Sequence, residues 1–204
     1  MSTAYRFLRS LSLSALLAAQ TPLAFELLEK ARSLDTPSHN VTAIETVAVN
    51  GRNPERYEVL WQHGEKLRKG ADGKWQSVRE VREKTPASFR FGKFEGLDGG
   101  FKLSPAKRDG ALIRIEAKGR DGAWLQQERT YWIDESNGAL RRYECRIVLD
   151  DSAARTGSYF RYEYGAEGIL RYDVRFSLGR EWIAVRGSFS DYKKFAVDSR
   201  VLPQ

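Results

Sequence analysis

From Val41 onward, apolar and polar residues alternate nearly one for one, and a turn signal breaks the alternation roughly every 10 to 20 residues. Parallel strands need a crossover of a dozen residues or more, usually a helix. Turns this close together therefore force neighbouring strands to run antiparallel. The pattern is plain in "YWIDESNGALRRYECRI", residues 131–147, where two alternating runs flank Asn137-Gly138. Asn50-Gly51, His63-Gly64, Asp72-Gly73 and Asp121-Gly122 punctuate the other runs.

The alternation also assigns faces. In "RYEVLWQ", Tyr57, Val59 and Trp61 share one side, with Arg56 and Glu58 on the other. "ALIRIEAK" sets Ala111, Ile113, Ile115 and Ala117 against Leu112, Arg114, Glu116 and Lys118. Further along, Tyr143, Cys145, Ile147 and Leu149 share a face, as do Phe160, Tyr162 and Tyr164. Leu170, Tyr172, Val174 and Phe176 form another set, and Ile183, Val185 and Phe189 the last. Opposite stand Arg142, Glu144, Arg146, Arg161, Glu163, Arg171, Asp173 and Arg175, charges of both signs suited to cross-strand pairing in water. One sheet of about ten strands with a single apolar face must curl around its contents or be covered.

Two segments are available as cover. "TPLAFELLEKARSLD" predicts an amphipathic helix over 21–35: Thr21 caps, Pro22 suits the first turn, and Leu23, Leu27, Ala31 and Leu34 recur at helical spacing. Ala24 and Leu28 widen the stripe, and Pro37 ends it. Residues 85–107, "TPASFRFGKFEGLDGGFKLSPAK", break the alternation and read as a loop or short helix. They hold Phe89, Phe91, Phe94, Leu97 and Phe101, more apolar surface than a solvated loop needs. The expected class is mainly β: an antiparallel, unclosed half-barrel with an N-terminal helix and a short lid segment.

Chemistry is scarce. His39 follows Pro37-Ser38 in a linker and His63 lies in a tight turn, so neither is shielded as the base of a nucleophilic triad. Asp150-Asp151 are adjacent, which on a strand points them apart, and they read as a loop. Cys145 is the only cysteine; no internal disulfide or multi-thiolate metal site can form, and its face makes it a buried apolar residue. No Gly-rich phosphate loop precedes a helix. The net charge of +7 comes from Lys and Arg interleaved with Glu and Asp, and the aromatic residues fall opposite the arginines. Nucleic acid would need both on one face. The expectation is a protein that is not an enzyme and uses no cofactor, metal or nucleic acid.

Arg6 and Arg9, then "LSLSALLAA" at 11–19 and Pro22, have the order and length of an export signal. This predicts a leader at 1–20, a single domain over 21–204 and a periplasmic destination.

With those elements in order, the strings "GKW", "FKLSPAK", "YWIDESNGALRR" and "FSDYKKFAVD" resemble the periplasmic outer-membrane lipoprotein carrier family, of LolA-like fold, over roughly 21–202. The resemblance implies an open β half-barrel whose apolar concave face is lidded by helices. It also implies carriage of lipid or lipoprotein acyl chains without chemistry, with a possible membrane-protein docking partner. The chain departs from the family in one respect: "PASFRFGKFEGL" is short and glycine-broken where carriers have an extended apolar helix, and no latch arginine is carried over. Candidate ligand contacts are Trp61, Phe89, Phe91, Phe94, Trp132 and Tyr162. The alternative is an envelope-associated scaffold whose core is filled by its own side chains.

Overall fold

The computed structural model describes residues 23–35, 40–62, 65–77, 93–97, 99–121, 125–151, 154–178 and 181–195. The leader, His39, His63, Phe89 and Phe91 lie outside them. Among the described residues one helix, α1 (residues 23–34), precedes twelve strands. These are β1 (Val41–Val49), β2 (Glu55–Gln62), β3 (Glu65–Lys69), β4 (Trp75–Ser77), β5 (Phe101–Leu103) and β6 (Lys107–Asp109). The long strands follow: β7 (Leu112–Asp121), β8 (Leu125–Asp134), β9 (Leu140–Asp151), β10 (Ala154–Tyr164), β11 (Ile169–Leu178) and β12 (Glu181–Lys194).

They form one sheet in the order β4-β3-β2-β1-β12-β11-β10-β9-β8-β7-β5, with β6 also on β7. Neighbours pair antiparallel, as in β1 with β2 and β12, and the sheet does not close into a barrel. The mainly antiparallel, unclosed class expected from the turns is what forms. No helix among the described residues is long and apolar enough to cross a membrane.

The chain divides into two compact units. The first holds α1, residues 93–97, β5 to β9 and most of β10; the second holds β1 to β4, the end of β10, β11 and β12.

In the first unit, α1 buries Ala24, Leu28 and Ala31 almost completely, while Leu23 and Leu34 are 48% and 51% exposed. The buried stripe is thus centred one residue away from the expected one. The two alanines let the helix axis come close, and the Lys30 stem lies against Gly138, where a Cβ would stand 2.7 Å from it. Under α1 and residues 93–97 the core gathers Phe94, Leu97, Ile115, Ala117, Tyr131, Ile133, Tyr143, Cys145 and Ile147, all buried. The loop expected over 85–107 instead contains strands at its end. Gly119 of β7 leaves room for the Phe101 ring, 2.7 Å from where its Cβ would be, and so admits β5 as a neighbour. Asp150 and Asp151 likewise end strand β9 rather than forming a loop.

The 131–147 hairpin is held by its own turn residues. Asp134 accepts from the Ser136 backbone N–H and from Arg141, at 2.9 Å each, and Gly138 takes the left-handed φ of 80°. The Ser136 hydroxyl also donates to it, and that bond first, with Arg141 and the Ser136 N–H, holds the Asp134 carboxyl down at about 2. On the polar faces the expected mixed charges pair within each unit, Arg161 with Glu144, and Arg171 with Glu163.

Candidate ligand-binding face

In the second unit the alternation of β1 buries Val41, Ala43, Glu45 and Val47 on one side. β2 adds Tyr57, Val59 and Trp61, and β12 adds Phe189. Near its end β12 carries one extra residue against β1, between the Thr42–Lys193 and Ile44–Ser190 pairs, where Asp191 has φ 55°. This bulge returns Tyr192 to the same face as Phe189, although simple alternation would put it opposite. Tyr192 then donates its hydroxyl to the Ile169 carbonyl.

The result is a continuous run of rings. Trp61 meets Phe189 at 5.2 Å and Tyr192 at 6.1 Å, the latter stacked. Phe189 meets Tyr172 at 5.8 Å, Tyr172 meets Tyr162 at 6.3 Å, and Tyr162 meets Tyr164 at 6.5 Å. All these spacings fall in the range of favourable ring pairs. Ala43 is what lets Trp61 and Phe189 meet across β1, since a larger side chain there would fill the gap. Phe189 is buried, while Tyr57, Trp61, Tyr162, Tyr164, Tyr172 and Tyr192 remain partly exposed.

A polar cluster sits inside this apolar face. Glu45 is 1% exposed and receives Lys66, Arg68 at 3.1 Å and the Tyr172 hydroxyl at 2.8 Å. Burial pushes its carboxyl up, but Lys66, Tyr172 and Arg68 together hold it below its ordinary value. Tyr172 reaches Glu45 by crossing β12 over Gly187, its register partner. Burial, with Glu45 alongside, raises the Tyr172 hydroxyl. Lys66 also lies 4.8 Å over the Phe189 ring, and the Arg68 guanidinium 3.9 Å over Tyr57.

The predicted contacts separate. Trp61 and Tyr162 belong to this ring run. Phe94 is buried in the first unit, stacked on Tyr131 at 5.8 Å, where it fills the core beneath the 93–97 segment. That segment is tied down by Arg129, which donates to the Glu95 carbonyl at 2.7 Å, and by Tyr131, which donates to the Lys93 carbonyl at 2.6 Å. Burial pushes the Tyr131 hydroxyl up to about 12. Trp132 points to the other side of β8 from Tyr131. Its Nε1 donates to Asp109 at 2.9 Å, and Arg142 and Arg114, its partners on β9 and β7, lie over its ring. An open concavity of about 640 Å³ lies beside β5, β7 and β8, lined by Gly99, Gly100, Phe101, Lys102 and Gln127 among others. Among the described residues Phe101 is its one ring.

The residues missed by sequence reasoning carried a signal. Glu45 stands in the apolar register of "VTAIETVAV", and Arg129 in that of "QQERTYWI", each a charge where alternation calls for an apolar side chain. A buried charge is costly unless paired, so each one marks a built polar cluster.

No protein-family model matches the chain, and no curated protein matches it. Among solved structures it is similar to a LolA superfamily protein from Nitrosomonas europaea, at 15% identity and a TM-score of 0.39, over 89% of this chain and 97% of that one. It is also similar to a protein domain from Vibrio parahaemolyticus described as outer membrane lipoprotein-sorting, at 10% identity and a TM-score of 0.41, over 88% and 93%. A DUF1329 family protein from Desulfovibrio piger aligns at 12% identity and a TM-score of 0.44, over 90% and 95%.

Proposed function

We propose that the chain binds the acyl chain of a lipid or lipoprotein, or an apolar ligand of similar shape, on the ring run of the second unit. Binding is non-covalent, and the setting is the periplasm, as the leader-like start of the sequence suggests. The observation that carries this reading is the contrast between the two units. The first buries Phe94, Leu97 and most of its apolar side chains, whereas the second leaves six large rings partly exposed along one face. Apolar area of that kind gains about 25 cal/mol per Å² when covered, and about 0.8 kcal/mol for each methylene a ligand buries. The resemblance of the hairpin strings to lipoprotein carriers points the same way.

The test is titration with a fluorescent fatty-acyl probe. Trp61→Ala and Tyr192→Ala should each weaken binding about tenfold, equivalent to about 1.4 kcal/mol. Trp132→Phe, on the opposite side of β8, should leave it within twofold. Equal loss in all three, or no binding by the wild type, would reject the reading.

A further inference from the structure

We infer that the acyl ligand carries an anionic oxygen head, a carboxylate or phosphate, bound by Arg68 at the β3 end of the ring run; this rests on the reading above. Arg68 leaves β3 opposite Val59 and sets its guanidinium 3.9 Å over the Tyr57 ring. Its side chain is 29% exposed. It makes one ion pair among the described residues, to Glu45 Oε2 at 3.1 Å, and its Nε is buried with no hydrogen-bond partner. Glu45 cannot answer the whole of that fork. Its Oε1 already takes Lys66 and the Tyr172 hydroxyl, so one carboxylate faces two cations. Glu55, at the start of β2, is exposed and accepts from the Tyr57 hydroxyl.

A guanidinium with donors left over matches carboxylate and phosphate geometry, two donors to two oxygens, far better than it matches a hydroxyl. From this anchor the rings lead away across β2, β1, β12, β11 and β10. Five strand spacings of about 4.8 Å make about 24 Å. That is the reach of a long acyl tail lying across the strands, head at β3 and tail toward Tyr164.

The experiment is calorimetric titration of the full chain with three ligands of one tail length: dodecanoate, dodecyl phosphate and dodecan-1-ol, each below its micelle concentration. The wild type should bind at least one anion tenfold or more tighter than the alcohol. A preference for the carboxylate marks a fatty-acid head and a preference for the phosphate a phospholipid-type head, and either supports the inference. Arg68→Met should cost the preferred anion about tenfold and the alcohol less than twofold, while Arg68→Lys, keeping the charge without the fork, should fall between. If the alcohol binds the wild type as tightly as both anions, the head assignment is wrong and the apolar reading stands, a comparison that needs no variant. If none of the three binds, the apolar reading fails with it.

Discussion

Tyr172 passes closely over Gly187 to reach Glu45. The glycine's backbone is outside the left-handed region, so alanine is conformationally acceptable there. The obstacle is space alone. A Cβ would lie 2.3 Å from Tyr172 Cζ and 2.4 Å from its Cε1 and Oη. Carbon contacts settle near about 3.5 Å or more, so the ring must move by about 1 Å. That takes its hydroxyl, now 2.8 Å from Glu45, out of hydrogen-bond range. Overpacking of this kind costs about 1–3 kcal/mol, and a hydrogen bond to a charged group about 1.5–3 kcal/mol. Tyr172 is partly exposed, which reduces the second figure, and removing a strand glycine returns about 0.5–1 kcal/mol. The net expectation for Gly187→Ala is a loss of about 2 kcal/mol. With a urea slope of about 2 kcal/mol/M, the midpoint falls by about 1 M. Tryptophan fluorescence during urea unfolding reads this. In a Tyr172→Phe background the hydroxyl is already gone, and the same substitution should cost about 1 kcal/mol less. A Gly187→Ala loss below about 0.5 kcal/mol, or one of equal size in both backgrounds, refutes the crossing.

Glu45→Gln leaves Lys66 and Arg68 without their anion and should destabilise by about 2–3 kcal/mol, short of the about 3–5 kcal/mol of a fully buried broken pair because both cations are partly exposed. Because the folded carboxyl sits below its ordinary 4.5, the native state binds fewer protons than the unfolded chain in that region. Glu45 therefore contributes stability above about pH 4.5 that disappears as pH falls through the lower folded value, and stability curves of Glu45→Gln should be flatter there. Phe94→Ala should cost about 3 kcal/mol by calorimetry, because Phe94 is buried and stacked on Tyr131, so truncation leaves a cavity. Gly138→Ala meets both a φ of 80° and the Lys30 stem, and should lower stability by about 1–2 kcal/mol, whereas Gly73→Ala, with φ 78° and open space, should cost less.

Period-two alternation told which side chains share a face almost everywhere it was unbroken: Ile115 with Ala117, Tyr143 with Cys145 and Ile147, Tyr57 with Val59 and Trp61. It failed where the backbone departs from period two. Tyr192 joins Phe189 only through the left-handed bulge at Asp191, for which "SFSDYKK" gives no pair-spacing clue. Trp132 alternates with Tyr131 and Ile133, which hold the core side and leave it among arginines. The α1 stripe was offset because helical periodicity marks a wide apolar arc, and the small residues Ala24 and Ala31, not the large Leu23 and Leu34, decide which line of it can approach the sheet. The polar cluster around Glu45 was legible as a misplaced charge, but its partners on β3 and β11 are set by strand order, which turn positions do not specify.

Photo-crosslinking reads directly where a bound acyl chain lies. A fatty acid bearing a diazirine on its tail, irradiated with the wild-type chain and mapped by peptide mass spectrometry, should label peptides containing Trp61, Tyr172, Phe189 or Tyr192. Label confined to α1 and β8, or spread evenly over the surface, would contradict binding on the ring run.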